Sequence, residues 1–195
     1  MRALMAFLLG SLLVGMVLIG FVAAENFFVV DRLLESPART EFRQEFRQRL
    51  APLPDGEARV VLRYLSSELN RFYFRVWGGA EVLLSGLLLV LAARNGKDRK
   101  LKFGAGAMLG LSLLMTFYLT PQIVEVGRAI DFVPRDPPPP ELRQFGMLHG
   151  AYSVLDLAKL VLGIWLTVRV VRRPESEPRA PAPPVPRGEG SGTEG

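Results

Sequence analysis

Three charged residues stand near the middle of long, predominantly apolar runs. Glu81 lies in the run 72–93, and Asp156 and Lys159 lie in the run 145–168. Two carboxyls and one ammonium in a low-dielectric setting can do one of three things. They can pair and fix helix register, pass a proton or an ion, or line a pocket for a polar solute. On an insertion scale a central charge costs ~2.5–3.5 kcal/mol, so three unpaired would cost about 8–10 kcal/mol. They must therefore meet each other or water. At helical spacing His149, Ser153, Asp156 and Thr167 share a narrow arc, with Tyr152 and Lys159 on one flank. Gly78, Glu81 and Ser85 share a face, and Ser112, Thr116 and Thr120 recur every four residues. The candidates for a polar interior are Glu81, Ser85, Ser112, Thr116, His149, Ser153, Asp156 and Lys159.

No catalytic set is expected among them. Nucleophile–base–acid, phosphate-loop and metalloprotease patterns are missing from the sequence. His149 is the only histidine and there is no cysteine, which excludes disulfides, thiolate sites and a conventional multi-histidine metal site. No metal or cofactor is expected. Haem or copper held by His149 with Met147 is the weakest of the readings, and a hydrogen-bonded interfacial histidine is the default.

The elements that must position these residues are helical. The 195 residues are 49% hydrophobic, with a mean hydropathy of +0.24, and long apolar runs alternate with charged blocks. This predicts an all-α polytopic membrane protein, a bundle of four transmembrane helices with helical extensions outside the bilayer. The spans are expected at about 3–24, 72–93, 103–120 and 145–168. Val22-Ala23-Ala24 resembles a signal-peptidase site, but the first apolar run exceeds the ~7–15 residues of a signal peptide and reads as a retained span. Its pattern continues through Leu34. Ser36-Pro37 then predicts a helix start, followed by an amphipathic helix with Phe42, Phe46 and Leu50 in line. Pro52 to Gly56 breaks it, and helix resumes at Glu57. In the third span Gly106-x-x-x-Gly110 predicts close packing within the monomer. Thr120-Pro121 predicts a kink or fresh start, with a helical extension from Ile123 to Phe132. Pro134 to Pro140 predicts a stiff connector.

Charge orients the whole. Arg2, the five basic residues between Arg94 and Lys102, and Arg169, Arg172 and Arg173 fall on one side. The 25–71 connector holds eight basic and eight acidic residues and is neutral. Both termini are therefore expected in the cytoplasm. The net charge of +5 flanks the spans and is no nucleic-acid signal. Expected partners are the lipid bilayer and other membrane proteins or a second copy of the chain, with no nucleic acid.

The order of parts resembles the transmembrane protein 205-like family, which carries domain of unknown function 4149. Arg71-Phe72-Tyr73-Phe74 leading to Gly78-Gly79 is similar to that family's aromatic approach to its second span. Thr120-Pro121 is similar to its proline after the third. Phe145 to Ser153 with Asp156 resembles its His-Gly-x-Ser-x-x-Asn element, with Ser153 one place later and Asp156 in place of the amide. The resemblance covers about residues 3 to 170. It implies a four-span membrane protein with no established biochemical activity; the expected location is a bacterial inner (plasma) membrane. The expected role is non-enzymatic: structural or interaction work, or small-solute or stress handling. The alternative is a proton- or ion-coupled transport element using Glu81, Asp156 and Lys159.

Residues 174–195 are rich in Pro, Gly, Glu and Arg without apolar periodicity, and a disordered cytoplasmic tail is expected there. Truncation after Arg173 is expected to leave membrane yield and thermal stability in detergent unchanged. A large loss of either would show that the tail packs on the rest.

Overall fold

The computed structural model describes residues 1–35, 41–54, 56–94, 98–133 and 137–172. Among them there are helices and turns and no strand. In chain order they are α1 (Arg2–Glu35), α2 (Glu41–Leu50), α3 (Glu57–Arg94), α4 (Arg99–Leu114), a π-helical turn (Met115–Leu119), α5 (Thr120–Ala129) and α6 (Pro140–Val171). Among the described residues three helical stretches are long and apolar enough to cross a membrane: Arg2–Glu35, Glu57–Arg94 and Arg99–Ala129. α6 is 32 residues long and contains the apolar run 145–168, with an acid and a base at its middle.

Local chemistry sets these bounds. Gly56 has a φ of 82°, which turns the chain sharply between α2 and α3. Asp98 caps α4, its carboxylate accepting the Leu101 N–H at 3.1 Å. Pro139 is extended and Pro140 opens α6, where a missing N–H costs nothing. α6 thus begins five residues before the expected start of its apolar run.

The expected break at Pro121 takes a milder form. Proline has no N–H to give and its ring crowds the carbonyl four residues back. The helix widens just before it instead: Thr120 N–H reaches the Met115 carbonyl, an i to i−5 bond. Helix continues from Arg99 to Ala129 through this turn, and the extension stops three residues short of Phe132. Ser36-Pro37, residues 134–136 of the proline connector and the tail lie outside the described residues.

α1 packs on α3 and α6, and α4 packs on the same two helices. The core fills the half nearest the chain ends, with Leu9 and Leu12 from α1, Leu88 from α3, Ala105 and Met108 from α4, and Leu166 from α6. Arg2 donates to the Val170 and Val171 carbonyls at 3.2 and 2.8 Å, so the start of α1 caps the end of α6. Arg169 grips Asp98 through two bonds of 3.0 and 2.9 Å, tying α6 to the N-terminus of α4.

The opposite half is held by polar contacts. Asn26 donates to Asn70 at 2.6 Å, Asn70 to the Ala23 carbonyl, and Ser66 to the Asn26 carbonyl. Farther out, Arg59 meets Asp31 at 2.5 Å and Glu35 at 2.7 Å. The Glu35 hydrogen bond is the largest effect on the Arg59 guanidinium. Against the cost of burial, and with the charges of Glu35 and Asp31, it holds the group above its ordinary value, so it stays a cation. Arg47 of α2 donates to the Leu33 and Leu34 carbonyls at the end of α1.

Close approach happens at glycines other than the expected pair. A Cβ on Gly106 would be no nearer than 4.0 Å to Leu89, and one on Gly110 would meet nothing. The GxxxG spacing does not mediate packing here. The tight point between α4 and α6 is Gly104, where a Cβ would lie 2.7 Å from Leu166. Between α1 and α3 it is Gly15, whose missing Cβ is replaced by the ring of Trp77. Gly15→Val is expected to cost about 1–3 kcal/mol through overpacking. Trp77→Ala should absorb most of that cost, and a double-mutant cycle in unfolding free energy checks it. Additive losses would show that the two residues do not compete for the same space.

Candidate functional site

Glu81 comes from the buried face of α3, together with Gly78 and Ser85. Lys159 comes from the buried face of α6, which continues through Gly163, Leu166 and Val170. The two meet across the interior, with Lys159 Nζ 2.5 Å from Glu81 Oε1 and side chains 0% and 2% exposed. Asp156, one helical turn before Lys159, stands 3.2 Å from the same ammonium and is 33% exposed. One base thus serves two acids. The inner acid is shut in, and the outer acid opens onto space.

That space is a cavity of about 500 Å³ between α1 and α6, with α3 as its floor. Its walls include Val17, Gly20 and Phe21 from α1, Phe74 and Trp77 from α3, and Leu157 from α6. A second cavity of about 330 Å³ adjoins it toward α5, and both share Phe27, Asn70, Phe74, His149 and Tyr152 as walls. In the second cavity Arg71 bonds Glu68 at 2.6 Å and Asp131 at 2.9 Å, joining α3 to the chain just after α5. Both Arg71 and Asp131 are 9% exposed.

The larger cavity lies where α1 and α6 part company. On α1 the buried residues run from Met5 to Met16, and the next is Val30. On α6 none precedes Lys159. The helices are sealed at the end where Arg2 meets Val170, and open beyond the charged triad.

The sequence-expected polar residues divide accordingly. Glu81, Asp156 and Lys159 come together. Ser85 is buried one turn from Glu81, but its hydroxyl donates to the Glu81 carbonyl at 2.6 Å. Ser112 likewise donates to Met108, Ser153 to His149 and Thr167 to Gly163. These hydroxyls are spent on their own helices. Thr116, half-buried in the π-helical turn, packs over Gly78, where a Cβ would come within 2.8 Å of its Oγ1. His149 and Ser153 are exposed rather than turned to the interior; they rim the larger cavity, and the His149 ring stacks on Phe145. The inward face of α6 is centred on Lys159, with Tyr152 beside it, so the expected flank is the true centre of the stripe.

Sequence reasoning missed the Arg71–Asp131 pair and the Asn26–Asn70 bridge. An Arg at the edge of an apolar run with an acid beyond the next helix is a weak signal for the first. Two asparagines near the same end of antiparallel helices is a weak signal for the second. Among the described residues, no group of three His, Cys, Asp or Glu side chains could hold a metal ion. No family model, curated protein or solved structure matches the chain.

Removing Lys159 alone leaves two carboxyls facing each other without a counter-charge. Lys159→Met is expected to destabilise the protein by about 3–5 kcal/mol. Glu81→Leu with Lys159→Met should recover most of that, because no uncompensated buried charge remains opposite α6. Asp156→Asn should stay within about 1 kcal/mol, its group being part-solvated. Unfolding in mixed micelles measures all three, and a double variant as weak as Lys159→Met would show that the pair is not the source of the effect.

Proposed function

We propose that the chain is an integral membrane protein of four spanning helices, α6 supplying the fourth, with both termini and the 94–102 turn in the cytoplasm. In this reading it belongs with the transmembrane protein 205-like proteins, on the short elements around Arg71, Thr120 and His149. It acts non-enzymatically, by binding a small solute or a partner in its open half. Glu81 and Lys159 serve as the structural tie between α3 and α6. The observation that carries the reading is the one-sidedness of the polar interior. The larger cavity reaches Asp156 from between α1 and α6, while the apolar layer of Leu9, Leu12, Leu88, Met108 and Leu166 closes the other side. A blind cavity suits binding and does not suit steady conduction.

A second reading has its own support. Asp156 touches both the cavity and the buried ammonium, the position a proton-loading group would hold in a relay. Liposomes distinguish the two. Under the binding reading, reconstituted protein gives no pH-gradient-driven flux above empty liposomes. A clear flux, lost in Asp156→Asn at unchanged melting temperature, would overturn that reading and promote transport. Topology is tested separately. Reporter fusions after Asn95 and Pro138 are expected to read cytoplasmic and external; the reverse would sink the proposed orientation.

A further inference from the structure

The larger cavity has a chemical character that narrows what it can hold. Its walls are mainly aliphatic and aromatic, with the rings of Phe21, Phe74, Trp77 and Tyr152 among them, and Asn70, His149 and Ser153 are polar members at its edge. It opens sideways between α1 and α6, since the rim residues Val17, Phe21 and Leu157 are 60%, 65% and 61% exposed. Among its described lining residues Asp156 is the only Asp, Glu, Lys or Arg. The nearest base, Lys159, is fully buried behind it and already holds Glu81 at 2.5 Å.

Charge accounting follows directly. Glu81, Asp156 and Lys159 sum to one negative charge when all are ionised, and only Asp156 is part-exposed. The surplus therefore sits on the cavity wall, in an apolar setting where a mobile hydrated counter-ion is a poor partner. An occupant carrying its own apolar surface and one positive charge would answer it. Aromatic faces add a second attraction for such a charge. A carboxylate amphiphile would meet like charge instead, and an uncharged one would leave the surplus unanswered.

We infer that the cavity between α1 and α6 binds hydrophobic organic cations, with Asp156 as counter-ion and the rings of Phe74, Trp77 and Tyr152 as walls. This rests on the membrane-embedded binding reading above and names the class of solute. A cation of this kind partitions into the bilayer and reaches the slot from the side, at the depth where Asp156 waits. Gly20 gives the means to close the slot, because a side chain there would meet nothing within 4 Å of its Cβ and would project into open space. Gly10 offers equal room and does not line the cavity.

The test is equilibrium dialysis of the full chain in detergent, against empty micelles, with tetraphenylphosphonium and the size-matched anion tetraphenylborate. Saturable binding of the cation and none of the anion is expected. Asp156→Asn should weaken the cation by about ten- to a hundredfold. Gly20→Leu should weaken it by about tenfold or more through lost volume, and Gly10→Leu should match wild type. Equal uptake of the anion, or cation binding untouched in Gly20→Leu, would overturn the inference. Should Asp156→Asn not fold, the charge pair of probes and Gly20→Leu still decide it. Membrane insertion is scored in parallel by resistance to alkaline extraction. Inserted protein that ignores the cation defeats this inference alone, whereas protein that is extracted defeats the membrane reading beneath it.

Discussion

The interior of this protein depends on how one ammonium is neutralised. Lys159 is fully buried and its Nζ cannot reach solvent, so a partner must be brought to it. Glu81 is that partner, and it can arrive only if α3 and α6 stand at one rotation and one height. An apolar interface tolerates sliding by a turn at modest cost. A buried charge pair does not, because every other register leaves one member alone. The glycines then follow as consequences. Gly78 lets Thr116 come in beside the pair, and Gly104 and Gly163 accept Leu166 and Leu13 so that α4 and α1 close around α6.

On either side of that pair the chain is held by different physics. Toward the termini the contacts are apolar and dense, and the polar groups there do capping work: Arg2 on the last carbonyls of α6, Arg169 on the N-cap Asp98. Toward the other end the helices are joined by asparagines and ion pairs, Asn26 with Asn70 and Arg59 with Asp31. Polar clamps at the ends of long helices can hold them without requiring that their middles touch. This is why α1 and α6 can separate above Lys159 while α1 and α3 stay together. The space between them results from sealing one half by packing and the other by point contacts.

Much of this was legible from residue types. Apolar runs separated by charged blocks pointed to the helices, and the three mid-run charges had to meet each other or water. The direction of the stripe on α6 was not legible. His149, Ser153 and Thr167 look polar on a helical projection, but Ser153 and Thr167 satisfy themselves on the carbonyl four residues back and need no inward position. Lys159 has no such escape, and its charge fixes the inward face. The same reasoning explains the glycines. Spacing marked Gly106 and Gly110, yet a glycine matters only where a partner presses, and that depends on the bulk opposite, Leu166 against Gly104 and Trp77 against Gly15. Sequence carries the small residue but not its neighbour. Pro121 was read correctly as a disturbance, and its form was hidden, because widening to a π-helical turn and breaking the helix are both remedies for the same lost hydrogen bond.

Asp156 is the residue that the fold does not require. Glu81 alone neutralises Lys159 and sets the register, and Asp156 lies on the same helix as Lys159, so it adds no tie between helices. Its net effect on the buried trio is to convert a balanced pair into a negatively charged group, which is unfavourable in low dielectric. What its charge can act on, beyond Lys159, is whatever lies in front of it. In front of Asp156 is an apolar, ring-lined space open at its side, and a side chain one-third exposed to that space puts its charge where an occupant would feel it. The same position seen from behind is contact with the Lys159 ammonium. An occupant of the cavity and the Lys159 ammonium would therefore face the same carboxyl from opposite sides.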